Sequence, residues 1–304
     1  MSLFKKIEKL KAQIVDTERL LEMVIDHPLM AEGISEKLNN LTKELENLPK
    51  SVIDPRVQLL FSGNAVVGSQ GIKTSFISKT LKPFQEMVKT QAALVRFGKV
   101  GQRGQTKKGP NTDLYLTALP VGSFGVELSQ LQTDQLFDGE EISDAMKQVI
   151  HLVNSTSLDD ETFETAIENT PKRNLSNLKK FLMEVYEEKS LLKMECGEIG
   201  IEIPEEKIIE AYTRVSETID EQNEEFVSGI FRGILLDSGK FEMQDDKGNK
   251  ISGFISQELS EEELVNYDKE YLNKQCKFHL QIHKTIFKTG KERIDYELLG
   301  ITEE

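Results

Sequence analysis

The chain has 304 residues, of which 38% are hydrophobic and 30% charged, and its 52 acidic and 38 basic side chains give a formal charge of −14 at pH 7. These proportions predict several domains with buried cores, and they exclude a disordered chain and a membrane-embedded one. The acidic balance also argues against a surface that binds nucleic acid or anionic lipid everywhere, and leaves room only for a local basic segment.

Residues 1–50 are predicted to form a first, helical domain. Apolar residues recur there in steps of four and three, which is typical of a heptad seam. The first seam is Leu3, Ile7, Leu10, Ile14, Thr17, Leu21 and Val24, and after His27-Pro28 the second is Ile34, Leu38, Leu41, Leu45 and Leu48. The two helices pair either as a helical hairpin packed on its own body or as a coiled coil with another subunit, and the sequence leaves both open. Thr17 lies where a polar side chain can set register or oligomeric state.

Residues 51–225 are predicted to form a mixed α/β and helical body. A short apolar strand at 57–61 and two later strands around a tight turn frame an amphipathic helix, which Pro83 is expected to kink. The second half is mostly helical, with one β-like stretch at 192–203. We place the end of this domain in the acidic run 220–225.

Residues 226–304 are predicted to form a small β-barrel. Ser260 and Glu263 have the spacing of a capping box, which opens a short helix between the third and fourth of five strands. The order of three strands, a helix and two strands favours an OB-like barrel, and an SH3-like barrel remains the alternative. The predicted strands span 227–236, 240–244, 250–255, 274–287 and 291–299.

The turn Gly68-Ser69-Gln70-Gly71 is a candidate anion or ligand site. It directly precedes the predicted amphipathic helix, and free N–H groups at a helix N-terminus favour negative charge. The turn matches neither the Walker A pattern nor Gly-x-Gly-x-x-Gly, so a simple turn with a capping glycine is the alternative.

Residues 96–110 form a candidate contact for nucleic acid or for an acidic protein partner. The segment holds four glycines, no acid and a single aromatic residue, Phe97. Its charge suits phosphates, although one aromatic provides no ladder for stacking bases. Its five basic residues are Arg96, Lys99, Arg103, Lys107 and Lys108.

The sequence predicts no metal site, no cofactor and no catalytic residue. His279 and His283 are four apart on a predicted strand, hence about 13 Å from each other, too far to share one ion. Alternation puts both on the face opposite Phe278 and Leu280, which we expect to be a solvent face. Neither a Gly-x-Ser-x-Gly motif nor an activated cysteine is present.

We expect the protein to be cytoplasmic. Only Cys196 and Cys276 are present, so the chain cannot build a disulfide framework. The first residues lack the uninterrupted apolar stretch of a secretory signal. No window approaches the roughly 18 apolar residues of a membrane span.

Several segments resemble a loosely defined family of uncharacterised bacterial proteins with a helical N-terminus and a small C-terminal β-barrel. The resemblance implies an accessory role in bacterial multi-gene systems, including those directed against phage. The segments that carry it are residues 54–57 and 60–72, Gly122-Ser123-Phe124-Gly125, Gly229-Ile230-Phe231-Arg232-Gly233 and Lys250-Ile251-Ser252-Gly253.

The sequence therefore predicts a non-catalytic binding, scaffold or sensor subunit. We expect self-association through residues 3–48 and a protein partner, with no membrane partner. The alternative is a nucleic-acid-binding protein that uses residues 96–110 and the C-terminal barrel.

Overall fold

The protein has a mixed α+β architecture, as predicted, with a closed five-stranded β-barrel near the C-terminus. The computed structural model describes residues 3–24, 27–48, 55–68, 70–98, 112–119, 124–131, 138–168, 170–236, 238–256 and 258–303. Within these ranges, none of the helices combines the length and the apolar character that crossing a bilayer requires.

Helices α1 (Leu3–Met23) and α2 (Pro28–Glu46) form an antiparallel hairpin. Lys6 Nζ near the start of α1 lies 3.2 Å from Glu44 Oε1 near the end of α2. Thr17 is buried in the seam, and its hydroxyl donates to the carbonyl of Gln13 at 2.6 Å, so this polar side chain is satisfied within its own helix. A coiled coil with another subunit stays a prediction.

One antiparallel sheet joins both halves of the body, in the order β4-β5-β1-β6-β7. The β-like stretch predicted at 192–203 is a hairpin of two strands. The strands are β1 (Arg56–Phe61), β4 (Leu114–Ala118), β5 (Phe124–Gln130), β6 (Leu192–Cys196) and β7 (Ile199–Ile203), with a separate small hairpin of β2 (Val66–Val67) and β3 (Gly71–Ile72).

Five helices accompany this sheet, and the apolar residues of the sheet and helices form one core. Leu59 and Phe61 of the central strand are buried with Phe84, Met146 and Phe181 of the helices. The helices are α3 (Thr74–Phe97), α4 (Asp138–Leu158), α5 (Asp160–Glu168), α6 (Lys172–Glu187) and α7 (Glu205–Ser216). The helix α3 continues on both sides of Pro83.

The C-terminal barrel closes in the order β10-β12-β11-β8-β9, with a final pairing between β9 and β10. The pair β10–β12 is parallel and the other pairs are antiparallel. The predicted capping box is confirmed, because Ser260 Oγ accepts from the Glu263 N–H and the Glu263 carboxylate accepts from the Ser260 N–H. The elements are β8 (Ile219–Leu235), β9 (Lys240–Asp245), β10 (Lys250–Ile255), α8 (Glu261–Tyr271), β11 (Gln275–Ile286) and β12 (Glu292–Thr302).

The acidic run 220–225, in which we place the domain boundary, lies within a strand that extends from the barrel. It belongs to β8 and pairs with β11 from Asp220 opposite Thr285 to Glu225 opposite Leu280. Because β11 has 12 residues, it offers hydrogen-bonding partners to this polar segment well before the barrel core begins at Val227.

Gly253 lies where the backbones of β10 and β12 approach each other closely. A Cβ added at Gly253 would lie 2.2 Å from the carbonyl oxygen of Tyr296 and 2.8 Å from the ring of Phe241. We expect Gly253→Ala to lower the free energy of unfolding by about 2 kcal/mol. Gly33→Ala is the control, because a Cβ at Gly33 meets nothing within 4 Å and alanine favours a helix by about 0.5–1 kcal/mol. Urea unfolding of both variants in the full chain measures the difference, and an unchanged midpoint for Gly253→Ala would contradict the packing.

Candidate functional site

The predicted anion-binding turn is a hairpin turn between β2 and β3. Gly68 has a φ of 51°, and the Gln70 N–H donates to the carbonyl of Val67 at 2.9 Å. Gly71 begins β3, and the helix α3 starts only at Thr74, so the turn is separated from the helix N-terminus on which the prediction relied. Ser69 lies outside the described residues.

Arg96 is the only basic residue of the predicted contact segment within the described ranges. Its guanidinium binds Glu141 of α4, with Nε donating to Oε2 at 2.7 Å and Nη2 2.6 Å from the same oxygen. The side chain of Arg96 is 17% exposed, so this residue serves the packing of α3 against α4. Lys99, Arg103, Lys107 and Lys108 lie outside the described residues, and their role stays a prediction.

The strands β8, β11 and β12 present a common outward face, here called the ribbon face. The register places Asp220, Gln222, Glu224 and Phe226 of β8 beside Thr285, His283, Gln281 and His279 of β11, and Arg293, Asp295, Glu297 and Gly300 of β12 on the far side. The face is polar along its whole length except at Phe226.

The predicted alternation on β11 is confirmed, but the expectation of a solvent face is wrong for His283. His279 and His283 share the ribbon face, opposite Phe278 and Leu280 of the barrel core. His279 is partly exposed, whereas His283 is fully buried. Residues of α5 and α6 contact the part of the ribbon face around His283, and alternation within one strand cannot reveal such a cover.

Charged side chains from α6 and from the ribbon meet at this contact, which we call the junction cluster. Lys172 Nζ lies 3.2 Å from Asp295 Oδ2 and 4.0 Å from Asp220 Oδ1. Arg293 Nε is 2.9 Å from the same oxygen of Asp295. The cluster comprises Lys172, Arg173, Asp220, His283, Arg293, Asp295 and Glu297.

Burial dominates the electrostatics of the junction cluster. It lowers the pKa of Lys172, and the nearby carboxylates of Asp295 and Asp220 oppose this effect. The pKa of Arg173 is likewise lowered by burial, against the attraction of Glu297 and Glu86. Three cations face three carboxylates within the cluster, and Asp220 lies at its exposed edge.

His283 is the least satisfied member of the cluster. Neither of its ring nitrogens makes a hydrogen bond within the described residues, and Nε2 lies 3.8 Å from Glu297 Oε2. A buried polar group without a hydrogen bond costs about 1–3 kcal/mol, so the rest of the contact must hold His283 in place.

The edge of the same contact joins α5 to the loop between β11 and β12. Lys291 Nζ lies 2.7 Å from Glu168 Oε1, which raises the pKa of Lys291 and lowers that of Glu168. The rings of Phe163 and Phe287 pack edge to face with centroids 6.3 Å apart. Arg293 Nη1 also donates to the carbonyl of Ile167 at 2.6 Å. The barrel is therefore attached to the body by ion pairs, aromatic packing and a hydrogen bond from a side chain to a backbone carbonyl.

Beyond the covered part, the ribbon face exposes an aromatic platform made of Phe226, His279 and Lys277. The rings of Phe226 and His279 stack with centroids 4.5 Å apart at an angle of 11°, and Phe226 is 60% exposed. Lys277 Nζ lies 5.3 Å from the centre of the Phe226 ring, and His279 Nε2 lies 3.4 Å from Glu224 Oε2. Such a platform suits a planar or cationic-aromatic contact.

Sequence reasoning missed both the junction cluster and the platform. Nothing in the sequence around Lys172 marks this lysine as buried. The sequence predicts Phe226 at the start of the barrel but does not predict which face of the strand it occupies. The alternation on β11 was the one usable signal, because it already grouped Lys277, His279, Gln281 and His283 on one face.

Within the described ranges, no group of three or more His, Cys, Asp or Glu side chains is placed to hold a metal ion. Comparisons with protein-family models, curated proteins and solved structures find no match to this chain.

The variant Lys172→Met tests whether the ion pairs of the junction cluster stabilise the fold. The variant leaves the half-buried carboxylate of Asp295 with one cation fewer, so we expect the free energy of unfolding to fall by about 2–3 kcal/mol. Lys180→Met on the same helix is the control, because Lys180 is exposed and makes no ion pair with a described residue. Equal urea midpoints for the two variants would show that the buried ion pairs contribute nothing.

Proposed function

We propose that this chain is a non-catalytic, self-associating binding subunit. The helical hairpin joins copies of the chain, and an OB-type barrel, fixed to the body, carries the surface that binds a partner. The observation that supports this proposal is that the apolar seam of the hairpin is only partly buried.

The seam of α2 is only half covered by α1. Ile34, Leu38, Leu41 and Leu45 are half-buried, although they occupy the positions that a heptad pattern directs into a helical interface. Two helices enclose an apolar stripe from one side only, whereas a four-helix bundle encloses it fully. A second copy of the hairpin provides the missing two helices with the same heptad spacing.

The strand order supports an OB-type barrel. The first strand pairs with the second and the fourth, and the third pairs in parallel with the fifth, while α8 lies between the third and fourth strands. Barrels of this type bind their partners on the outer face and in loops. Because the junction cluster holds the barrel against α5 and α6, a bound partner would keep a constant orientation to the body.

Leu38→Glu tests self-association. A carboxylate at this seam position would have to be buried in the bundle, so we expect the oligomer to dissociate to monomer. Asn39→Glu is the matched control, because Asn39 is exposed on the same helix and the added charge is the same. Light scattering coupled to size exclusion gives the mass of each protein. A monomeric wild type, or dissociation in both variants, would contradict the proposal.

A second candidate function is binding of single-stranded nucleic acid, which the aromatic platform favours. Bases stack on exposed aromatic rings regardless of sequence, and Lys277 lies beside the Phe226 ring where a backbone phosphate could reach it.

Phe226→Ala tests this second candidate. Loss of one stacked base costs about 1–3 kcal/mol, so we expect the affinity for a labelled oligothymidylate to fall by at least roughly fivefold at low salt. Leu235→Ala is the control, because Leu235 is an exposed apolar residue on the same strand. Fluorescence anisotropy measures both affinities. No binding by the wild type, or an equal loss in the control, would exclude the platform as the site.

A further inference from the structure

A groove between α3 and α6 lies apart from the hairpin, the junction cluster and the aromatic platform. It has a volume of about 450 Å³, within the range of small-molecule sites. Its lining includes Lys79, Lys82 and Pro83 of α3 and Asn177, Lys180 and Met183 of α6.

Two lysines on opposite helices give this groove an uncompensated positive charge. Lys82 and Lys180 make no ion pair with any described residue, whereas Lys79 Nζ is 3.4 Å from Glu184 Oε2. The remaining acid in the lining, Glu86, interacts with the guanidinium of Arg173. The lining therefore holds three lysines against two glutamates, so one positive charge is in excess, and the ammonium groups of Lys82 and Lys180 are available to an anion.

The charge of the groove is opposite to that of the whole chain. With a formal charge of −14, the protein repels anions over most of its surface, so a concave site with two unpaired lysines is where an anion would bind. The amide of Asn177 adds a hydrogen-bond donor beside Lys180.

The floor of the groove is apolar. Pro83 is buried and Met183 is half-buried, and both line the groove. An apolar floor under a cationic rim fits a ligand with both an organic part and a phosphate.

We propose that this groove binds a small phosphorylated molecule. Lys82 and Lys180 hold the phosphate from the two helices, and the organic part lies on Pro83 and Met183. This site goes beyond the proposed function and does not depend on the hairpin or the barrel.

Calorimetric titration of the full chain with pyrophosphate and with ADP tests whether the groove binds phosphorylated molecules. We expect saturable binding of both, and tighter binding of ADP because its nucleoside adds contact with the floor. Lys82→Gln and Lys180→Gln should each weaken binding roughly tenfold, the effect of losing one charge-assisted hydrogen bond. Both lysines are exposed, so the variants keep the fold.

Lys89→Gln is the matched control, an exposed lysine of α3 outside the groove, and it should change affinity by no more than about twofold. Absence of saturable binding by the wild type would overturn the proposal. An equal loss of affinity in the control would also overturn it, because the binding would then depend on diffuse surface charge. Displacement of ADP by an oligothymidylate would overturn it as well, because the groove would then bind a nucleic-acid backbone.

Discussion

The barrel is held to the body by the ion pair between Lys172 and Asp295 and by the hydrogen bond from Arg293 to the carbonyl of Ile167. Taking charges out of water costs several kcal/mol for each ion, and this cost is recovered only when opposite charges and hydrogen bonds meet at good geometry. The junction cluster balances three cations against three carboxylates, and Arg293 Nη1 adds a hydrogen bond to the carbonyl of Ile167. Lys172 Nζ, Asp295 Oδ2 and both ring nitrogens of His283 make no hydrogen bond within the described residues, so the cost of burial is recovered only in part.

The polar extension of the barrel strands is what makes this junction possible. β8 and β11 pair over twelve positions, and β8 contributes to the barrel core only from Val227 onward. The remaining part reaches α5 and α6 with its charged outward face. At the point where the cover by these helices stops, the same face is open and shows Phe226 and His279 to solvent. One set of strands thus holds the barrel in place and exposes the aromatic platform beside it.

The three proposed interaction sites use different physical forces. The hairpin offers an apolar seam that a second copy would complete, the platform offers an exposed aromatic ring, and the groove offers two ammonium groups above an apolar floor. Because they lie on different elements, substitutions such as Leu38→Glu, Phe226→Ala and Lys82→Gln separate their contributions.

Much of the local structure was predictable from the sequence. The heptad seams predicted α1 and α2, the Ser260–Glu263 spacing predicted the start of α8, and alternation on β11 predicted which residues share a face. These signals are periodicities and capping patterns within about a dozen residues, so they can be recognised without knowledge of the rest of the fold.

The sequence by itself determined the composition of each face, and only the tertiary structure decided which faces are covered. His283 and His279 have the same orientation on one strand, yet one is buried and the other is partly exposed, and the contacts from α5 and α6 to Arg293 and Asp295 lie beside the first. Lys82 and Lys180 meet in one groove only because α3 and α6 are neighbours. Such pairings depend on contacts between distant segments, and no local pattern encodes them.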